Sequence, residues 1–333
     1  MKVYDNYQII FTAQQKAGLL HESLSVSPAP GEIIGKTLVS VISSGSERGG
    51  YMNYYGGGTY PCKTGYAVVM EVVEVGKEVR NIKAGDIVFS QAPHQLINQV
   101  KEENAIVVPA GMNTEHAVLA RFPAVSMTTM IHTCIKPTEP VIVTGLGIVG
   151  LTCAQMMQNC GYKVYAADPV DERRETAQHC GLRYTLSSLD SAPFLKESCG
   201  LAIECSGDER ATYSLPAYLR KGGELSLVGV PWRRTTDTFA HELLRMIFSG
   251  YLKVYSGWEW SLPLHSCAFL PNSSYRSFQK AMEWIQEGAI KVDGIYKTFD
   301  PTDCDSVYQA ISNNNLNTTC AIFDWRNYKL SDI

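Results

Sequence analysis

The chain has 333 residues, 45% of them hydrophobic, which is longer than one hydrophobic core usually organises and apolar enough to build two. Its formal net charge of -4 comes from interspersed acids and bases with no basic run longer than a pair such as Arg233–Arg234, so nothing attracts a phosphate backbone and no nucleic-acid partner is expected. No apolar window of about 18 residues occurs, residues 1–10 carry no signal-peptide core, and the ten cysteines are scattered without a CxxC, so a reduced, cytoplasmic protein with no membrane partner is expected.

In chain order, the first third reads as β-rich. Residues 36–43 alternate polar and apolar side chains, 66–75 are dense in valine, and 86–89 form a further short apolar run, each bounded by Gly or Pro. Such short strands predict a small barrel or sandwich. The character changes near Pro137, where an apolar strand at 141–144 leads through a glycine-rich turn into a helix at 148–160 and a second strand at 163–167, a β-α-β unit of crossover length. The alternation continues with a helix at 172–179, a strand at 201–205, a helix at 211–219 and a strand at 224–228. That pattern predicts an α/β fold with a doubly wound parallel sheet. Beyond Gly257 the pattern is mixed, with a helix at 275–287 that turns Phe278, Met282 and Ile285 to one side, and a closing strand at 321–324. We read the tail as a return to the first domain, giving a first domain at 1–120, a second at 121–268 and the return at 269–333.

Gly145, Gly147 and Gly150 form a GxGxxG that directly follows a strand and opens a helix, and Asp168 ends the next strand about 20 residues on. Gly145 permits the tight turn, Gly147 lets backbone N–H groups approach a pyrophosphate, Gly150 lets helix and strand pack closely, and the helix N-terminus favours the anion. Leu146, Ile148 and Val149 complete the turn. A carboxylate at Asp168 suits the two ribose hydroxyls and repels a 2′-phosphate, so NAD is the expected cofactor. Pro169 and Arg173 belong to the same turn, and Arg173 and Arg174 leave NADP open. Glu204, Cys205, Ser206 and Gly207 end one parallel strand and Val228, Gly229 and Val230 another; these backbones are candidates to flank the nicotinamide half, since ligands of such sheets sit outside the carboxyl ends of the strands.

With these residues the chain resembles the medium-chain dehydrogenase/reductase superfamily of zinc-type alcohol dehydrogenase-like proteins over essentially its full length. The resemblance includes a GroES-like first domain with GYAVVMEVVEVGKEV from Gly65 and KAGDIVF from Lys83, and the glycines Gly222 and Gly223 before a strand. Within it, Ser40 to Arg48 and the loop Ala92 to Gln95 are similar to the branch containing bacteriochlorophyllide a dehydrogenase. The fold implied is a GroES-like β-rich catalytic domain plus a Rossmann domain, and the partners implied are a small-molecule substrate and a second copy of the chain, the edge strand at 250–256 resembling the one through which many members dimerise.

The departures bear on the chemistry. Where zinc members carry a cysteine ligand this chain has Ser44, and where they carry the histidine of GHE it has Tyr66, followed by Ala67. Hydroxyl and phenol are poor zinc ligands. The four-cysteine lobe is also missing, since 90–115 contains no cysteine, so no metal is expected at either site. Without zinc, side chains must handle the substrate proton. The resemblance puts Ser46, Glu47 and Tyr66 near the former metal position and His94 in the substrate pocket, and Thr129 at a nicotinamide contact. His94 is the expected base, Ser46 a relay, Glu47 an orienter of His94 or a solvated side chain, and Tyr66 a donor to the same oxygen. Trp258 and Trp260 are read as packing or cleft residues.

These readings predict a zinc-independent oxidoreductase moving hydride between NAD and a secondary alcohol, a polyol or its ketone. Two alternatives stand beside it: an NADPH-dependent quinone or enone reductase, and a catalytically silent dinucleotide-binding protein.

Overall fold

The strand Lys2–Ala13 turns back on Lys16–Val26 through Gln14 and Gln15, and the antiparallel pair runs in register almost end to end. Gln15 takes a left-handed conformation, φ 58°, without a glycine. The computed structural model describes residues 2–54 and 56–329. They divide into two units, one built from the residues up to Leu119 and those from Asp293 on, the other from Ala120–Val292.

In the first unit the hairpin is joined by Cys62–Lys63 into a three-stranded sheet, and a second sheet has seven strands. Its order is Tyr296–Phe299, Cys320–Asp324, Glu32–Val41, Ala67–Val75, Ile87–Ser90 and Ile106–Val107, with Ile97–Lys101 also paired to Glu32–Val41. The tail is thus stitched in by strand pairing, Cys320–Asp324 lying antiparallel to Glu32–Val41. The chain returns at Asp293, later than the expected 269. The physical reason is the helix Ser274–Gln286, which buries Phe278, Met282 and Ile285 and packs on the helix Arg121–His132 of the second unit, with the Arg121 guanidinium 5.3 Å from the centre of the Phe278 ring. An apolar helical face goes where a matching face exists, here inside the second unit.

The second unit is a six-stranded parallel sheet ordered Thr185–Leu186, Lys163–Ala167, Pro140–Thr144, Cys199–Glu204, Leu219–Leu227 and Lys253–Ser256. In sequence order that is 3-2-1-4-5-6, with the order reversing between Pro140–Thr144 and Cys199–Glu204. The helices Ile148–Asn159 and Asp171–His179 make the crossovers. The helix expected at 211–219 is shorter. Asp208 caps it by accepting from Arg210 N at 2.9 Å, it runs Glu209–Ser214, and it tightens into a 3₁₀ turn Leu215–Tyr218. Pro216 supplies no N–H for an α-helical bond, which ends the helix there. No helix among the described residues is long and apolar enough to cross a membrane.

Candidate active site and dinucleotide-binding turn

At the carboxyl end of Pro140–Thr144 the chain enters the glycine turn. Gly145 has φ +83°, and a Cβ on it would lie 2.7 Å from the Ser206 backbone. A Cβ on Gly150 would lie 1.7 Å from the Gly145 carbonyl oxygen, so no other residue fits there. Gly147 is the half-buried residue that begins the helix Ile148–Asn159, in extended conformation and with no side-chain cap; a Cβ on it would meet nothing within 4 Å. Uncapped N–H groups beside open space fit a pyrophosphate, and this is the form a dinucleotide-binding turn takes. Leu146 and Ile148 are buried under the turn and Val149 is half-buried.

Asp168 is buried at the end of Lys163–Ala167. Its Oδ2 accepts from Leu146 N at 2.7 Å and its Oδ1 from Val170 N at 2.9 Å, so the carboxylate ties the glycine turn to the end of the second strand. Arg173, largely exposed, approaches Oδ2 at 3.4 Å, Arg174 donates to the Asp168 carbonyl at 2.7 Å, and Pro169 is exposed beside them.

Across the switch point, Glu204 is the last residue of its strand and is buried. Its side chain accepts from Ser206 N at 2.6 Å, from the Ser206 hydroxyl and from Gly207 N at 3.0 Å, while its carbonyl accepts from Val228 N and Gly229 N, both at 2.8 Å. Burial pushes the Glu204 carboxyl above its ordinary pKa, and the Ser206 and Gly207 hydrogen bonds only partly offset that. Cys205 is half-buried and its thiol is raised well above the ordinary range, first by a hydrogen bond with Cys153 and then by burial, which makes it a poor nucleophile. Val228, Gly229 and Val230 are half-buried. Thr129 differs from expectation: it has no exposed surface, and its hydroxyl lies 2.7 Å from that of Ser226, so the hydroxyl expected to meet a nicotinamide is occupied inside the unit.

In the first unit a buried polar cluster surrounds Glu47. Glu47 Oε1 accepts from Ser43 N at 2.7 Å, and Oε2 accepts from the Thr64 and Tyr308 hydroxyls, each at 2.5 Å, and from His94 Nε2 at 3.1 Å. The other His94 nitrogen, Nδ1, lies 2.7 Å from Ser40 Oγ, which in turn accepts from Trp325 Nε1 at 2.8 Å. His94 Nε2 donates to Glu47, and Nδ1 shares the remaining hydrogen bond with the Ser40 hydroxyl, so both ring nitrogens are satisfied inside the cluster. Burial pushes the Glu47 carboxyl up, but the nearby His94 and the hydrogen bonds from His94, Thr64 and Tyr308 outweigh it and hold the group below the ordinary carboxylate range. Burial and the Glu47 charge push the Tyr308 phenol well above its ordinary value.

This corrects the expectation for His94. It is 0% exposed with both nitrogens engaged, so the direct contact with a substrate oxygen expected of it is replaced by contacts to Glu47 and Ser40. Glu47 is not a solvated side chain either; its carboxylate joins the start of the helix Ser46–Met52 to the turn at Thr64. Ser46 is exposed at that helix start, and Ser44 and Tyr66 are half-buried. Gly65, with φ +141°, sets the position of Tyr66: a Cβ there would lie 2.3 Å from His94 N. Ser44 and Tyr66 do not supply the donors of a zinc site, and among the described residues no three His, Cys, Asp or Glu side chains gather as a metal group.

Thr64, Tyr308 and Trp325 were not singled out in the sequence, and Ser40 and Glu204 entered only as members of longer segments, with no role for their side chains. Tyr308 meets Glu47 across 261 residues of chain, and no local pattern marks such a pair. Glu204 carried one signal, a lone acid ending an otherwise apolar strand.

Residues 148–256 match the family described as zinc-binding dehydrogenase. The L-threonine 3-dehydrogenase of Streptomyces avermitilis is 25% identical over 225 residues, covering 56% of this chain and 66% of that protein. Two solved structures share the fold at low identity. One is the CAD from Helicobacter pylori complexed with NADP(H), at TM-score 0.78 and 15% identity over 98% of this chain and 99% of that one. The other is the acetophenone reductase from Geotrichum candidum NBRC 4597 in complex with NAD, at TM-score 0.76 and 14% identity over 96% and 97%. The matches to curated relatives span between half and two thirds of those relatives' own length.

Proposed function

This chain belongs to the medium-chain, zinc-type alcohol dehydrogenase-like superfamily, and from that premise we propose that it transfers hydride between NAD and a secondary alcohol, a polyol or the corresponding ketone without zinc. The observation that carries the proposal is the glycine turn, in which Gly145 and Gly150 allow the close packing of the turn, Gly147 opens onto free space that a pyrophosphate would fill, and buried Asp168 ends the next strand. A bound nicotinamide supplies the hydride acceptor or donor. The chain's own part is to hold it and to manage the proton.

NAD is favoured because the buried Asp168 carboxylate, although its oxygens already accept from Leu146 N and Val170 N, puts a negative charge at the end of the second strand that disfavours a 2′-phosphate. Arg173, 3.4 Å from that carboxylate, and Arg174, on the Asp168 carbonyl, stand on the side of NADP and of the reductase reading that goes with it. For the proton, an alcohol without a metal keeps a high pKa and needs a hydroxyl or base at its oxygen. We assign that contact to Tyr66 and Ser46, with Glu47 and His94 fixing the turns that carry them. Ser44 and Tyr66 in place of ligands support zinc independence.

We further propose a cytoplasmic homodimer. The helix Ala240–Gly250 has no buried residue, and Leu244 and Phe248 on it are 62% and 85% exposed. Trp258 and Trp260, at 60% and 54%, follow the edge strand Lys253–Ser256 in the chain, so packing against a second copy suits them better than a cleft. The test of the activity is a panel of secondary alcohols, cyclitols, sugars and ketones with NAD and with NADP, followed by nicotinamide absorbance. Reduction of NAD by members of the panel supports the reading. Dinucleotide binding without turnover supports the silent alternative instead.

A further inference from the structure

Glu204 lies where three turns meet. Its side chain takes three donors from the Ser206–Gly207 turn, and its carbonyl takes Val228 N and Gly229 N from the next strand end. The turns also touch one another at glycines. A Cβ on Gly145 would lie 2.7 Å from Ser206, one on Gly207 would lie 2.5 Å from the Val230 carbonyl oxygen, and one on Gly229 would lie 2.3 Å from Gly207 N and 2.8 Å from Glu204 Oε2. The glycine turn, the Ser206–Gly207 turn and the Gly229 turn are therefore a single packed piece of backbone around one buried carboxylate.

The strand order gives this piece a direction. Asp168 and the adenosine ribose position belong to the strand on one side of Pro140–Thr144, whereas Glu204 and Gly229 end the strands on the other side. A dinucleotide with its pyrophosphate on the helix N-terminus and its adenosine ribose at Asp168 must extend its other half across the switch point, over the turns that Glu204 holds.

We propose that Glu204 is a positioning residue for the nicotinamide half of the cofactor, shaping the backbone that receives it without touching the reacting atoms. The inference rests on the dinucleotide reading above. An amide in place of the carboxylate puts an NH₂ against backbone or hydroxyl donors that now point at acceptor oxygens, leaving buried donors unsatisfied.

The test separates the halves of the ligand by titrating NADH and ADP into the full chain and into Glu204→Gln. The expected result is NADH affinity lower by about tenfold or more, equivalent to one unsatisfied buried donor, with ADP affinity changed less than about twofold. Should Glu204→Gln fail to fold, Gly229→Ala serves the same purpose by pressing a methyl against Gly207 N and Glu204, and the same split between the two ligands is expected. Equal affinities in variant and wild type, or an equal loss for NADH and ADP, overturn the role assigned to Glu204. Wild type that binds neither ligand overturns the dinucleotide reading itself.

Discussion

His94 donates from Nε2 to the Glu47 carboxylate at 3.1 Å, and both side chains are buried. The contact turns a residue with the chemistry of a base into part of a scaffold. In the proposed reading the proton-handling groups are instead the hydroxyls of Ser46 and Tyr66.

Replacing His94 and replacing Tyr66 therefore have different signatures. His94→Ala leaves Glu47 short of a donor and removes the Ser40 acceptor, so it should destabilise the fold by about 1–3 kcal/mol, seen as a lower denaturant midpoint, with NADH affinity retained. Tyr66→Phe should slow turnover about 10²- to 10⁴-fold, the usual cost of losing an acid–base group, with NADH affinity retained. Full turnover in Tyr66→Phe, together with a lost limb of the pH–rate profile in His94→Ala at unchanged stability, reverses the assignment.

Glu47 should make the fold acid-sensitive. Its folded pKa lies below the ordinary 4.5, so the unfolded chain takes up the proton first. The stability it contributes is present above that ordinary value and is lost as pH falls through the lowered folded one. Denaturant midpoints at neutral pH and in acid should converge for Glu47→Gln, which has no proton to gain there. An equally steep acid limb in the variant shows that another group sets it.

Asp168→Ala should weaken NAD binding by about 1–3 kcal/mol and narrow the gap to NADP. Because Asp168 also holds Leu146 N and Val170 N, some loss of stability should accompany it. Wild type that binds NADP more tightly than NAD points to Arg173 as the governing side chain.

Phe248→Asp should dissociate the proposed dimer, since it places a charge on the exposed apolar side of the helix Ala240–Gly250. Sedimentation of wild type and variant at equal concentration decides this. Wild type that sediments as a monomer removes the proposal.

The parallel half of the fold was legible because its strands are covered on both faces and read as short apolar runs between glycine turns, as at Pro140–Thr144 and Cys199–Glu204. The hairpin Lys2–Ala13 and Lys16–Val26 was not, because its turn is made by Gln14 and Gln15, with no Gly, Asn, Asp or Pro to mark it. The glycine turn could be read from local spacing. The Glu47 cluster could not, since its members come from five separated segments, and whether His94 faces substrate or core depends on Ser40 and Trp325, which meet only in the folded sheet.

The most direct test is hydride transfer after metal removal: protein treated with chelator, assayed for residual zinc, then mixed with NAD and its best secondary-alcohol substrate while nicotinamide absorbance is followed. Undiminished turnover with far less than one zinc per chain is the expected result. About one tightly held zinc per chain, whose removal abolishes turnover and whose return restores it, contradicts zinc-free hydride transfer.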